Sequence, residues 1–178
     1  MANGLIHTFT GKFFYPLDPT PETIDIQDIG HALSNQCRFN GHTSEFYSIA
    51  QHSVLVSRCV PTGHKLAALL HDASETYLPD VSRTIKPLLN GYTEVEQRLE
   101  QMIADKYGFE YPLSDEVIWA DNNILRDEAL AFFPRYQLED WPYISTLEGT
   151  GIEINPWNPG HAKEEFISVA KGLILSGG

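Results

Sequence analysis

The sequence predicts an all-α domain of five to seven helices with a small N-terminal β hairpin. Apolar residues recur at helical spacing in successive windows, and proline and glycine clusters punctuate the gaps between them. The aromatic-rich stretch suited to a strand pair lies near the N-terminus. With 178 residues, the chain is expected to form one domain across 1–178, and 42% apolar content is enough for a packed core.

Residues 8–16, TFTGKFFYP, predict a short hairpin or edge strand closed by Pro16. DPTPE at 18–22 is a turn-rich connector, so 1–24 reads as a strand and loop decoration. Residues 25–36 set Ile26, Ile29 and Leu33 on one helical face. After the loop RFNGHTSEF, Ser48 opens the next helix, with Gln51 placed to complete a capping box. Pro61-Thr62-Gly63 ends it, and 64–77 reads as one continuous apolar helix stopped by Pro79. Further helices are expected over 92–107, 115–133 and the amphipathic tail HAKEEFISVAKGLIL. Between the last two, 135–159 is broken by prolines and reads as an irregular covering segment.

Composition narrows the function classes. A net charge of −12 repels nucleic-acid backbones and argues against a nucleic-acid polymer as partner. A small phosphate-bearing ligand stays compatible, provided a pocket gathers some of the twelve Lys and Arg. No apolar run approaches the roughly 20 residues of a membrane span, and the N-terminus lacks signal-peptide character, so a soluble cytoplasmic protein without a membrane partner is expected. Cys37 and Cys59 form no CxxC motif, which fits a reducing compartment.

The chemistry-bearing residues interrupt apolar helices. His52 lies in YSIAQHSVLVS, His71 and Asp72 in LAALLHDASE, and Asp121 in VIWADNNIL. Burying such groups costs free energy unless something pairs with them. Two imidazoles and two carboxylates from three helices can converge on one divalent transition metal, and mixed N/O ligation suits Mn, Fe, Co, Ni or Zn better than Ca. On a continuous helix Glu75 would share a face with His71 and Asp72. Asp80 follows Pro79, where it could equally start a turn.

These motifs resemble the HD-domain metal-dependent phosphohydrolases, whose ordered H…HD…D signature is met by His52, His71-Asp72 and Asp121. AQHS, LLHDASE, a following Pro-Asp-Val and the late WAD are similar to the small bacterial 5′-deoxynucleotidase branch, over roughly positions 35–130. The resemblance implies a compact HD-type helical bundle and one bound transition metal. It implies metal ligation by His52, His71, Asp72 and Asp121, with Glu75 and Asp80 orienting or deprotonating the attacking water. It also implies a phosphate-holding Arg beside an aromatic residue, mapped here to Arg38 and Phe39. Arg83 and Lys86, one loop beyond the metal ligands, are further candidates for the phosphate.

A small-molecule nucleotide substrate is therefore expected, foremost a deoxynucleoside 5′-monophosphate. Two departures leave substrate choice open: the spacing from His52 to His71 is shorter than in the nucleotidases, and FFYPLDP has no counterpart there. Phage-borne relatives of similar style include dNTP triphosphohydrolases, which release triphosphate, and for such a chain the compartment would be the host cytoplasm. A non-catalytic nucleotide-binding HD module is a third reading, set against the complete residue set. Relatives are often dimers or larger, so a homo-oligomer is also an expectation. Glu128, one helical face with Asp121, is read as a structural salt bridge; His31 and His42 as surface histidines; Cys59, Trp119 and Trp141 as packing residues.

Overall fold

The computed structural model describes residues 4–82, 84–135, 137 and 140–177. Strands β1 (Ile6–His7) and β2 (Phe13–Phe14) pair antiparallel, Ile6 opposite Phe14. The hairpin thus closes slightly earlier than TFTGKFFYP suggested, and of its three phenylalanines only Phe14 enters the core. Among the described residues seven α-helices follow: α1 (Ile26–Asn35), α2 (Ile49–Arg58), α3 (Lys65–Leu70), α4 (Tyr92–Tyr107), α5 (Asp115–Phe132), α6 (Pro142–Ser145) and α7 (Pro159–Ser176). None of the described helices is long and apolar enough to cross a membrane.

Local chemistry sets most boundaries. Asp25 caps α1 by accepting from the Gln27 N–H, and Asn158 caps α7 by accepting from His161. Gly108 ends α4 at φ 79°, a left-handed conformation that glycine adopts without steric cost. The capping box at α2 forms only in half. Ser48 accepts from the Gln51 N–H, but the Gln51 side chain does not return to the cap. It donates to the Asn155 carbonyl at 2.7 Å and accepts from the Trp157 N–H at 2.9 Å, pinning the 146–158 segment across the domain.

Helix α2 is the axis of the fold, with nine of its ten residues buried. One side packs into a core with α1, α3, α4 and α7, built on Ile29, Leu33, Leu69, Leu99 and Phe166. The other side packs against α3 and α5 through Leu55, Val56, Ala68, Ala120 and Ile124. Residues placed on α2 between these two clusters face α5 and the end of α3, and His52 is one of them. Cys37 and Cys59 are both free thiols.

One expectation fails in this region. The helix read over 64–77 is not continuous: α3 stops at Leu70, His71 and Asp72 form a turn, and Ala73–Thr76 is a separate 3-10 turn. Packing overrides the helical propensity of HDASET, because the break turns His71 and Asp72 toward α2 and α5. Glu75 therefore does not share a helical face with His71 and Asp72, although it stays electrostatically close to both.

Candidate metal centre

Side chains from three regions converge: His52, His71 and Asp72 form one group, and Asp121 reaches both imidazoles. His52, fully buried on α2, directs Nε2 at His71 Nε2 across 3.3 Å. Asp72 Oδ2 lies 3.2 Å from His71 Nε2 and 3.7 Å from His52 Nε2. Asp121 Oδ1, from α5, lies 3.2 Å from His52 Nε2 and 3.5 Å from His71 Nε2. His52, His71 and Asp72 form a group that could hold a metal ion, and Asp121 approaches both imidazoles from the opposite element.

Hydrogen bonding on the far side of each ring decides which nitrogen faces inward. His52 Nδ1 lies 2.7 Å from Glu128 Oε1, and His71 Nδ1 lies 2.8 Å from the Ala68 carbonyl. Both partners are acceptors, so each Nδ1 carries the proton and donates it. Each Nε2 then presents a lone pair to the other ring and to two carboxylates. Four acceptors in such proximity repel one another unless a cation lies among them.

The distances also fit a metal: ligand bonds of about 2.0–2.2 Å set neighbouring donor atoms roughly 3–3.5 Å apart around one ion. Without one, protons must do this work. Burial opposes charge on His71, yet Asp72 and Asp121 hold its pKa well above the ordinary imidazole value. Burial likewise opposes ionisation of the acids, but His71 draws Asp72 down to about 2, and the two imidazoles hold Asp121 well below the usual range.

The surrounding candidates divide. Arg38 is drawn in: its Nη1 is 3.6 Å from Asp72 Oδ2, and its Nη2 donates to Glu128 Oε2 at 3.2 Å. Phe39 follows in a left-handed conformation (φ 52°, ψ 33°), as does Asn40, a strained turn for two residues that are not glycine. That turn stacks the Arg38 guanidinium over the Phe39 ring at 5.4 Å and sets Phe39 edge-on to Phe133 and Trp141.

Glu75 and Asp80 stand beside the cluster. Burial, then Asp72 and Asp80, pushes the Glu75 carboxyl up to about 9. Asp80 sits at the rim with much of its surface in solvent, and partial burial followed by Asp72 raises its pKa as well. Lys86 is engaged elsewhere: it donates to Glu96 on α4 at 2.9 Å, with Glu75 within electrostatic reach. Arg83 lies outside the described residues.

Glu128 forms the salt bridge read from the sequence, with Arg38, and also bonds His52, a contact the sequence did not point to. It is completely buried and receives His52 and Arg38, which lie 76 and 90 residues away from it in sequence, at a single carboxylate. The available signal was its position two turns after Asp121 on the same helix, which aims both acids at α2.

No family model matches the chain. Among curated proteins it is 39% identical over 166 residues to the uncharacterized protein YfdR of Escherichia coli (strain K12), covering 91% of each chain. It is also 39% identical over 109 residues to an uncharacterized protein of Rhodobacter capsulatus, covering 56% of each. With identity at this level along nearly the whole of both sequences, the protein belongs to the family of Escherichia coli YfdR.

Proposed function

We propose that the protein is a metal-dependent phosphohydrolase of the HD-domain type, acting on nucleoside 5′-monophosphates and foremost on their deoxy forms. The convergence of two inward-facing imidazole Nε2 atoms with Asp72 and Asp121 carries this reading. It is the donor set that a single transition metal takes. When bound, a divalent cation there would offset charge that grows on a phosphoryl group during hydrolysis.

The chain's own residues supply the rest. The Arg38 Nη1 edge, beside Asp72, can donate to a phosphate oxygen and fix its orientation. Glu75, held near Asp72 and Asp80, is the group suited to receive a proton from an attacking water once a cation lowers its pKa. Asp80 at the rim would orient that water.

The local charge supports a monophosphate over a triphosphate. Among the described residues near the cluster, Arg38 is already shared with Glu128 and Asp72, and Lys86 is paired with Glu96. A triphosphate would bring more negative charge into a neighbourhood that already holds Glu75, Asp80, Glu96 and Glu100. Product analysis with dAMP and dATP tests the reading. Orthophosphate from dAMP is expected; triphosphate released from dATP, with dAMP untouched, would replace the reading with a triphosphohydrolase.

A further inference from the structure

We propose that Glu128 is a positioning residue that serves two tasks with one carboxylate: it sets the His52 tautomer for metal binding and holds the Arg38 guanidinium for anion binding. The inference rests on the metal-centre reading for its first task and goes beyond it in tying metal and anion recognition to a single buried group.

The geometry leaves little freedom. Oε1 receives the His52 Nδ1 proton at 2.7 Å and has Arg38 Nε 3.2 Å away, while Oε2 receives Arg38 Nη2 at 3.2 Å. Glu128 is 0% exposed, so water does not substitute for either partner. Burial opposes its ionisation, but Arg38 and His52 draw its pKa below the ordinary carboxyl value. The Tyr47 ring is also fully buried, and its hydroxyl lies close enough for Glu128 to raise its pKa further after burial has done so.

Only a carboxylate offers an acceptor at both positions. A glutamine would turn an NH₂ group toward one of the two donors. Facing Arg38, it would set donor against donor and release the guanidinium. Facing His52, it would require Nδ1 to accept, moving the ring proton to Nε2 and into the metal cluster. That exchange of tautomer is how an amide in place of an orienting carboxylate disables an otherwise intact site. An ordinary structural salt bridge would lose stability on substitution and leave ligand binding alone.

The test compares wild type, Glu128→Gln, Glu128→Asp and Arg38→Lys. Mn²⁺ binding and orthophosphate binding to the Mn²⁺-loaded protein are read by calorimetry. The His52 tautomer is read by ¹⁵N NMR on metal-free protein at a pH where the imidazoles are neutral. Glu128→Gln should weaken Mn²⁺ or orthophosphate binding by roughly 10–100-fold, the range for groups that orient a metal ligand. The NMR should show the His52 proton leaving Nδ1 wherever it is the Mn²⁺ affinity that falls. Arg38→Lys should weaken orthophosphate and spare Mn²⁺, and Glu128→Asp should recover part of both losses. Glu128→Gln protein with wild-type affinity for both, and only a lower Tm, would overturn the proposal. Should wild type itself bind no Mn²⁺, the metal reading falls, while an unprotonated His52 Nδ1 in wild type would independently overturn the assignment of Glu128.

Discussion

His52 Nε2 and His71 Nε2 face each other across 3.3 Å with no proton assigned to either by their outer partners. With both rings neutral, two buried lone pairs would face each other at that distance. The site is thus stabilised by a positive charge there, a proton on His71 or a metal ion among His52, His71, Asp72 and Asp121.

Metal should therefore stabilise the fold. At a free concentration about 100 times Kd, binding to the native state alone contributes about 2.7 kcal/mol. For a domain of this size that corresponds to a Tm increase of roughly 5–10 °C. Differential scanning calorimetry with Mn²⁺ or Zn²⁺ against EDTA checks it. Asp72→Ala should abolish both the increase and turnover.

Glu75→Gln should separate binding from chemistry. The metal-induced Tm increase should persist, because Glu75 is outside the four-atom cluster, while orthophosphate release falls roughly 10²–10⁴-fold, the usual worth of a general base. Equal loss of metal and turnover would refute the role given to Glu75.

The same residue makes a pH prediction for the metal-free protein. Its folded pKa of about 9 lies above the unfolded carboxyl value near 4.3, so the native state retains a proton that the unfolded chain releases. Its contribution to stability is present below the unfolded value and is lost as pH rises toward 9. Denaturation midpoints measured across that window should fall with pH, and Glu75→Gln should flatten the slope.

Gly30 tests the helical frame independently of the site. A Cβ there would meet Ile167 Cγ1 at 2.8 Å and Phe166 Cδ1 at 3.2 Å, where α1 crosses α7. Gly30→Ala should cost about 1–3 kcal/mol by overpacking, less the small gain from helix propensity. Urea titration measures the loss, and Mn²⁺ affinity should be unchanged.

Gln51→Leu should free the covering segment. It would leave the buried amide's two partners, the Asn155 carbonyl and the Trp157 N–H, without that side chain. Each lost partner costs about 1–3 kcal/mol where water cannot replace it. Hydrogen exchange should accelerate first at Trp157.

The helices and their caps were legible because their causes are local: Ser48 before an apolar window, Pro61-Thr62-Gly63 after it, and proline breaks through 135–159. The four cluster residues were legible as ordered motifs set in apolar surroundings. The break at His71 was not, since HDASET has ordinary helical propensity and tertiary packing ends the helix. Glu128 was legible as a salt-bridge residue, but its partners were not, since His52 and Arg38 come from elements distant from it in sequence. Gln51 showed a capping pattern but spends its side chain on residues 155 and 157.

The most direct test is a crystal of the zinc-loaded protein with anomalous data collected at the metal edge. One peak per chain, within about 2.0–2.3 Å of His52 Nε2, His71 Nε2, Asp72 and Asp121, is the predicted result. A peak bound elsewhere, or the four side chains parted with no ion among them, would contradict the account.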